Sequence, residues 1–294
     1  MATTVAQAFL TLRQNLEITG LQAETVSTRQ TNVRKVVEAG MNVRDSFLTG
    51  SYIRSTMIAP LKEADVDIFV VLNSSYFRQY DSNAAGSQAG LLDAVRRVLL
   101  KTYTKTPDIS RNGQAVTIRF DDFLVDVVPA FDREGGGYLI PNAISRSWIS
   151  TDPKKHVELM TAANKAHSGQ LLPLVKMIKA WNKAHGKFFR SFHLEVLSLQ
   201  ILGRVTISDL PSALRFFFDK ARVVVTQQNL DPSGHGGDVG SYINTREAVD
   251  EAVKKFQGAF DLALRAEESA ARQHIGDAMD HWGRLLGDYF PTYG

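Results

Sequence analysis

Apolar residues recur along this chain with two different periods, and the change between them divides it. Val5, Phe9, Leu12 and Leu16 share one face of a helix that Gly20 ends, and Val33, Val36 and Val37 carry a second helix to Gly40. The period then shortens. Val43–Thr49 and Asp65–Leu72 are short, apolar and rich in β-branched side chains, which predicts two strands, and residues 52–57 between them start a short helix that Pro60 closes. A polar loop over 73–86, expected to be the most mobile segment, leads to a helix carrying Leu91, Leu92, Val95, Val98 and Leu99. Residues 109–111 and 114–120 flank Asn112-Gly113, a pair suited to the positive φ angles of a type I′ turn, so a hairpin is expected there, running into a further strand around Asp126. Glycines 135–137 mark a loop, and Thr151-Asp152-Pro153 opens a helix with proline in its first turn.

Beyond that point the pattern is helical almost to the end. Leu171, Leu174, Val175 and Ile178 form a core stripe that leaves Lys176 and Lys179 toward other faces, and Ser191 is placed to cap the next helix. Taken alone, those features read as a solvated lysine face and a capping serine. Pro291 ends the pattern in a short tail expected to be exposed and mobile. The whole predicts an α+β protein of two lobes. Residues 1–150 form a strand-rich lobe with the N-terminal helices as a brace behind its sheet, and residues 151–294 form a helical lobe.

A chain of 294 residues is long enough for each lobe to bury its own core, and 44% hydrophobic with 22% charged residues is an ordinary globular balance. There is no apolar run of membrane-spanning length and no signal-like start, so a cytoplasmic protein without a membrane partner is expected. The absence of cysteine removes disulfides, thiolate zinc sites and cysteine nucleophiles, and the histidines show no HExxH spacing. Any metal is therefore held by oxygen. A net charge of +3 permits a polyanionic ligand without requiring a nucleic acid.

Two features of the strand-rich lobe carry chemistry. Asp65 and Asp67 alternate along one strand and so share a face, and two carboxylates that close favour a hard divalent cation such as magnesium between them. Gly50-Ser51 follows a strand and precedes a helix start, which presents backbone N–H groups to an anion such as phosphate. Singly, each is also a common turn or a solvated strand edge. Their spacing joins them, because the thirteen residues between Ser51 and Asp65 allow the chain to leave the cradle, make a short helix and return on the adjacent strand. The pattern matches the hG[GS]…[DE]h[DE]h signature of polymerase-β-like nucleotidyltransferases, which also needs a third carboxylate on a later strand. Asp126, between Val125 and Val127, supplies it, while Asp121 and Asp122 read as turn residues.

With GSYIRST, ADVDIFVVL, VDVVPAF, the Thr151-Asp152-Pro153 helix start, KAWN and RSFHLE in order, the chain resembles the bacterial cGAS/DncV-like nucleotidyltransferases, which make cyclic oligonucleotides for anti-phage signalling. The resemblance implies a polymerase-β-like catalytic lobe, a helical lobe and an active site in the cleft between them. It implies that Asp65, Asp67 and Asp126 bind two magnesium ions, with manganese as a substitute. Gly50 and Ser51 hold the donor triphosphate, and Lys179 and Ser191 reach it from the helical lobe. Phe192 is expected to stack on a base. Apart from the resemblance, Asn164 in the first helix of the second lobe is placed either to present its amide to a base edge or to be a surface or interhelical residue. The implied substrates are nucleoside triphosphates, ATP among them, joined by attack of a ribose hydroxyl on the α-phosphate. The product is a cyclic di- or trinucleotide for a downstream effector. A terminal Gly294 suggests a handle for an E1/E2-like conjugating partner. Asp231-Pro232 resembles a late family Asp-Pro, but Asp238 stands where relatives commonly have Asn, so no role follows for that loop. The alternatives are a nucleotidyltransferase acting on RNA, protein or a small-molecule acceptor, and a binding module without catalysis.

Overall fold

The β-branched runs form their strands at the expected positions, β1 (Val43–Thr49) and β2 (Asp65–Leu72). In this computed structural model, which describes residues 2–82, 86–105 and 108–294, the chain divides into two units. One is Ile18–Glu158; the other is Leu159–Gly294 together with the residues up to Glu17.

The first unit is built on a seven-stranded sheet in the order β1-β2-β5-β4-β3, completed by β3 (Asp108–Asn112), β4 (Ala115–Arg119), β5 (Leu124–Asp132) and the hairpin of β6 (Tyr138–Asn142) and β7 (Ser147–Thr151), whose β6 pairs with β5. β2 and β5 are parallel and every other pairing is antiparallel. One face of the sheet presents Val66, Ile68, Val70, Val116, Ile118, Val125 and Val127 to helices α2 (Gly20–Gly40) and α5 (Ser87–Thr102), whose Val33, Val37, Leu91, Val95 and Leu99 complete the core. The opposite face is split. Phe47, Phe69 and Tyr138 cover one end with rings 5.2–5.8 Å apart, and the aspartates occupy the other.

Three local expectations change. The hairpin turns one residue later than the Asn-Gly pair suggests, because Asn112 pairs with Ala115 and the two loop residues are Gly113, at φ 60°, and Gln114. Asn112 is thereby a strand residue. The helix expected over 52–57 is a single turn, α3 (Gly50–Ile53). The loop after β2 is not free through residue 81. It folds into a 3-10 turn, Ser74–Tyr76, and α4 (Phe77–Asp81), fastened where the Trp148 indole N–H donates to Asp81 at 2.9 Å and Phe77 packs 5.3 Å from Phe131. The rest of that expectation, at 83–85, lies outside the described residues.

The second unit is helical: α1 (Val5–Asn15), α6 (Pro153–Ala166) beyond Glu158, α7 (Leu171–Ala184), α8 (Ser191–Leu202), α9 (Leu210–Val224), α10 (Arg246–Ala271) and α11 (Ile275–Leu286). Its centre is aromatic, with Trp181 stacked on Phe256 at 5.2 Å and edge-on to Phe218 at 4.9 Å. The division departs from the expected boundary after residue 150, and only α2 of the two N-terminal helices braces the sheet. The apolar stripe of α1 packs instead in the helical unit, with Phe9 edge-on to Trp282 at 5.0 Å and to Phe290 at 5.6 Å. The tail is likewise less free than expected. Phe290 is buried and the Ala2 N–H donates to the Thr292 carbonyl at 3.3 Å, leaving Tyr293 and Gly294 exposed. Phe9→Ala should therefore lower the stability of the helical unit by about 3–5 kcal/mol, read as an earlier urea transition of its tryptophan fluorescence. A shift of that transition under about 1 kcal/mol would mean that α1 is peripheral.

Candidate active site

Strand register assembles the acidic end of the sheet. Asp67 lies directly opposite Asp126 in the parallel β2–β5 pair, so the two side chains leave the same face, and Asp65, two residues earlier on β2, shares it. Thr49, the last residue of β1, pairs with Asp67, and the chain then turns through Gly50 at φ 73°. That turn is pressed against the carboxylate. A Cβ built on Gly50 would lie 1.7 Å from Asp67 Oδ2 and 2.6 Å from its Cγ, so no other side chain fits without moving one of them. After the single turn of α3 the backbone folds back, and the Ser51 carbonyl accepts from the N–H groups of Thr56 at 2.9 Å and Met57 at 3.0 Å. The N–H groups that open the turn have no acceptor within it, which leaves backbone donors next to the Asp67 carboxylate.

Asp126 is held from the neighbouring strand. Thr117, its partner in β4, donates its hydroxyl to Asp126 Oδ1 at 2.5 Å, and the Asn112 amide donates to Oδ2 at 3.4 Å and to Thr117 Oγ1 at 3.0 Å. Burial pushes the Asp126 carboxyl above the usual carboxylate range; the Thr117 hydrogen bond opposes this, the charge of Asp65 adds to it, and Asn112 opposes it. Thr117 and Asn112 are site residues that sequence reasoning did not single out. The one-residue displacement of the hairpin is what brings Asn112 into the strand and aims its amide at the carboxylate.

Among the described residues, no group of three or more carboxylate or imidazole side chains is already gathered closely enough to hold a metal ion. The donor set nevertheless suits a hard cation. Three carboxylates on one face, one of them raised in pKa by burial and by a second, are what a divalent ion would relieve. Thr117→Val should raise the Asp126 pKa further, because it removes a hydrogen bond that lowers it. Turnover by the variant should fall about tenfold, the share of one buried hydrogen bond, with its acid limb moved to higher pH. An unchanged acid limb would exclude Thr117 from positioning Asp126.

The remaining candidates lie in the helical unit. α7 is buried on every side, so Lys176 and Lys179 do not form a solvated face. Lys176 reaches Glu17 at 2.6 Å, and Lys179, 6% exposed, lies 3.3 Å from Glu195, 1% exposed. Ser191 is the first residue of α8 rather than its cap; Arg190 holds the cap position, and the Ser191 side chain is exposed. Phe192 follows it, half-buried. Asn164 ties the α6–α7 connection, its Oδ1 accepting from the Leu172 N–H at 3.1 Å. Asp238 also has a structural place, since its Oδ1 accepts from the N–H groups of Asn229 at 3.0 Å and Gly240 at 2.8 Å. Asn229 in turn meets the His193 imidazole at 2.6 Å. Burial holds that imidazole below its ordinary pKa, with Asn229 and Asp238 opposing and Arg190 adding to the shift.

The profile of the Second Messenger Oligonucleotide or Dinucleotide Synthetase domain matches residues 3–164. A probable cyclic nucleotide synthase of Bacillus cereus is 26% identical over 273 residues, 83% of this chain and 81% of that protein. A cyclic AMP-AMP-AMP synthase of Acinetobacter sp. is 26% identical over 309 residues, 98% of this chain and 86% of its own. Among solved structures, Escherichia coli CdnC with ATP superposes with a TM-score of 0.75 at 18% identity, covering 98% of this chain and 99% of that one. Bradyrhizobium diazoefficiens CdnG with GTP gives 0.71 at 13% identity, covering 96% and 95%. These two likenesses concern the fold. No helix among the described residues is long and apolar enough to cross a membrane.

Proposed function

The chain belongs to the family of second messenger oligonucleotide or dinucleotide synthetases, and on that premise we propose that it joins nucleoside triphosphates into a cyclic di- or trinucleotide that addresses a downstream effector in anti-phage defence. The observation that carries this reading is the in-register pair Asp67 and Asp126, with Asp65 on the same face and Gly50 closed against Asp67. That arrangement supplies the parts of a phosphoryl-type transfer, in which catalysis is positioning and charge stabilisation.

Asp65, Asp67 and Asp126 would hold two magnesium ions, with manganese as a substitute. When bound, the ions lower the pKa of the attacking hydroxyl and neutralise charge that develops on the phosphates. Asp65 and Asp67 would serve as metal ligands only, whereas Asp126, held by Thr117 and Asn112, would also be the base that receives the proton. Its raised pKa brings it closer to the value suited to that work. The ribose oxygen forms a bond to the α-phosphorus, the bond to the bridging oxygen of pyrophosphate breaks, and the proton passes to Asp126. A second such transfer closes the ring. Gly50 and Ser51 offer backbone N–H groups to the triphosphate oxygens. By the resemblance that KAWN and RSFHLE carry, Lys179 and Ser191 would contact phosphate and Phe192 would meet a base. Asn164, with Oδ1 engaged, retains its Nδ2 group for a base edge.

ATP is the first substrate to test, since one relative is named a cyclic AMP-AMP-AMP synthase and another a cyclic AMP-AMP-GMP synthase. Incubation with α-labelled nucleoside triphosphates, singly and in pairs, with magnesium should give a labelled product that phosphatase does not attack and that has lost pyrophosphate. A product whose terminal phosphates remain phosphatase-sensitive would instead point to a linear transferase. Label that appears only on an added RNA, protein or small acceptor would sink the synthase reading.

A further inference from the structure

The strand-rich unit contains a cavity of about 300 Å³ that the catalytic reading does not use. It opens at the far end of β2, where Leu72 forms part of its wall. Leu72 is five residues beyond Asp67, and at ~3.3 Å per strand residue this places the cavity roughly 17 Å from the aspartates. The remaining wall comes from Tyr76 and Tyr80 and from one face of α5, where Arg97, Val98 and Lys101 line it. Tyr80 is 6% exposed, and its phenol pKa is raised by burial, opposed by the nearby Arg97 and augmented by Tyr76, so the three groups are close neighbours.

The charge of this cavity is one-sided. Among the described residues that line it the charged groups are Arg97 and Lys101, both cations and both exposed, and no acid faces them there. Carboxylates of the same region are engaged elsewhere. Asp93 pairs with Arg111 at 3.1 Å, Asp81 accepts from the Trp148 indole, and Glu38 accepts from the Ser46 hydroxyl. Two cations four residues apart on one helix repel and weaken it, so a fold that keeps them over a concave, tyrosine-lined wall gains when an anion sits between them. The volume falls at the small end of ligand pockets, and two tyrosines among its lining residues are the aromatic partners a flat group would need.

We propose that this cavity is a second ligand site, distinct from the catalytic one, which takes a small planar organic anion of mononucleotide size. Its ring rests against Tyr76 and Tyr80, and its phosphate or carboxylate meets Arg97 and Lys101. Since Leu72 ends the strand that carries Asp65 and Asp67, occupancy of the cavity and of the catalytic site would act on one element.

The test is calorimetric titration of the full chain in EDTA with adenosine 5′-monophosphate as the phosphate probe, 2-naphthoate as the carboxylate probe, and neutral adenosine and inorganic phosphate as controls. At least one of the two planar anions should bind with one-to-one stoichiometry, and at least about tenfold more tightly than either control. Which anion binds decides between phosphate and carboxylate. The Arg97→Glu/Lys101→Glu protein should lose at least about tenfold in affinity, while Asp67→Asn should bind as the parent does. Both cations are exposed, but Arg97→Gln/Lys101→Gln supplies the same comparison if charge reversal impairs folding. The proposal is overturned if neither anion binds up to about 1 mM, or if affinity survives the loss of both cations. It is also overturned if Asp67→Asn removes the binding, because the ligand then occupies the catalytic site.

Discussion

Asp126→Asn is expected to yield a folded protein that makes no cyclic product. The substitution keeps the shape of the side chain and an acceptor for the Thr117 hydroxyl, but it removes the charge that would hold metal and the group that would take the proton. Loss of such a contribution, worth about 4 kcal/mol or more at the transition state, lowers turnover by at least ~10³-fold. Stability should move the other way. The Asp126 carboxyl is raised above its ordinary value of 3.8, so the folded protein resists its ionisation more than the unfolded chain does. That penalty is absent below the ordinary carboxylate range, grows as pH rises from 3.8 through the raised value, and is complete above it. Without metal at neutral pH, Asp126→Asn should therefore melt at or above the temperature of the parent. The difference should close as both proteins are acidified. Inactivity accompanied by a lower melting temperature at neutral pH would make Asp126 a structural residue of the sheet.

Much of this site was legible because period-two sequence constrains it tightly. An apolar, β-branched run fixes a strand, alternation then puts Asp65 and Asp67 on one face, and the same logic applied to Val125 and Val127 puts Asp126 between buried neighbours. The partners that tune Asp126 were not legible. Asn112-Gly113 fits either of two hairpin registers, and the choice of the later one, which makes Asn112 a strand residue rather than a turn residue, comes from pairing across β3 and β4. Helical periodicity has a different blind spot. It finds the apolar stripe of α7, but the acids that pair with Lys176 and Lys179 are Glu17, which is exposed, and Glu195, which is buried, both on other segments, so two buried lysines read as solvated. The partner of α1 escaped for the same reason, since a stripe states which side of a helix is buried and not what covers it.

Gly50→Ala should inactivate the protein almost as thoroughly as removing a carboxylate, although it adds only a methyl group outside the acidic triad. The added Cβ would stand 1.7 Å from Asp67 Oδ2, far inside any allowed contact, so either the carboxylate rotates away or the turn that carries the Ser51 N–H retreats. On the proposed reading, the first outcome would remove a metal ligand and the second would move the phosphate cradle. Displacement of a reacting group by about 1 Å costs on the order of 10²-fold, and losing the ligand costs more, so turnover should fall by ~10²–10³-fold. The left-handed backbone at φ 73° adds about 1–2 kcal/mol of strain for alanine, seen as a modest fall in melting temperature. A double-mutant comparison separates site disruption from general damage. If Gly50→Ala acts through Asp67, adding it to Asp67→Asn should lower activity little below that of Asp67→Asn alone, because both changes disable the same contact. Additive losses, or an active Gly50→Ala protein, would mean that the close approach of Gly50 to Asp67 is a matter of packing and not of catalysis.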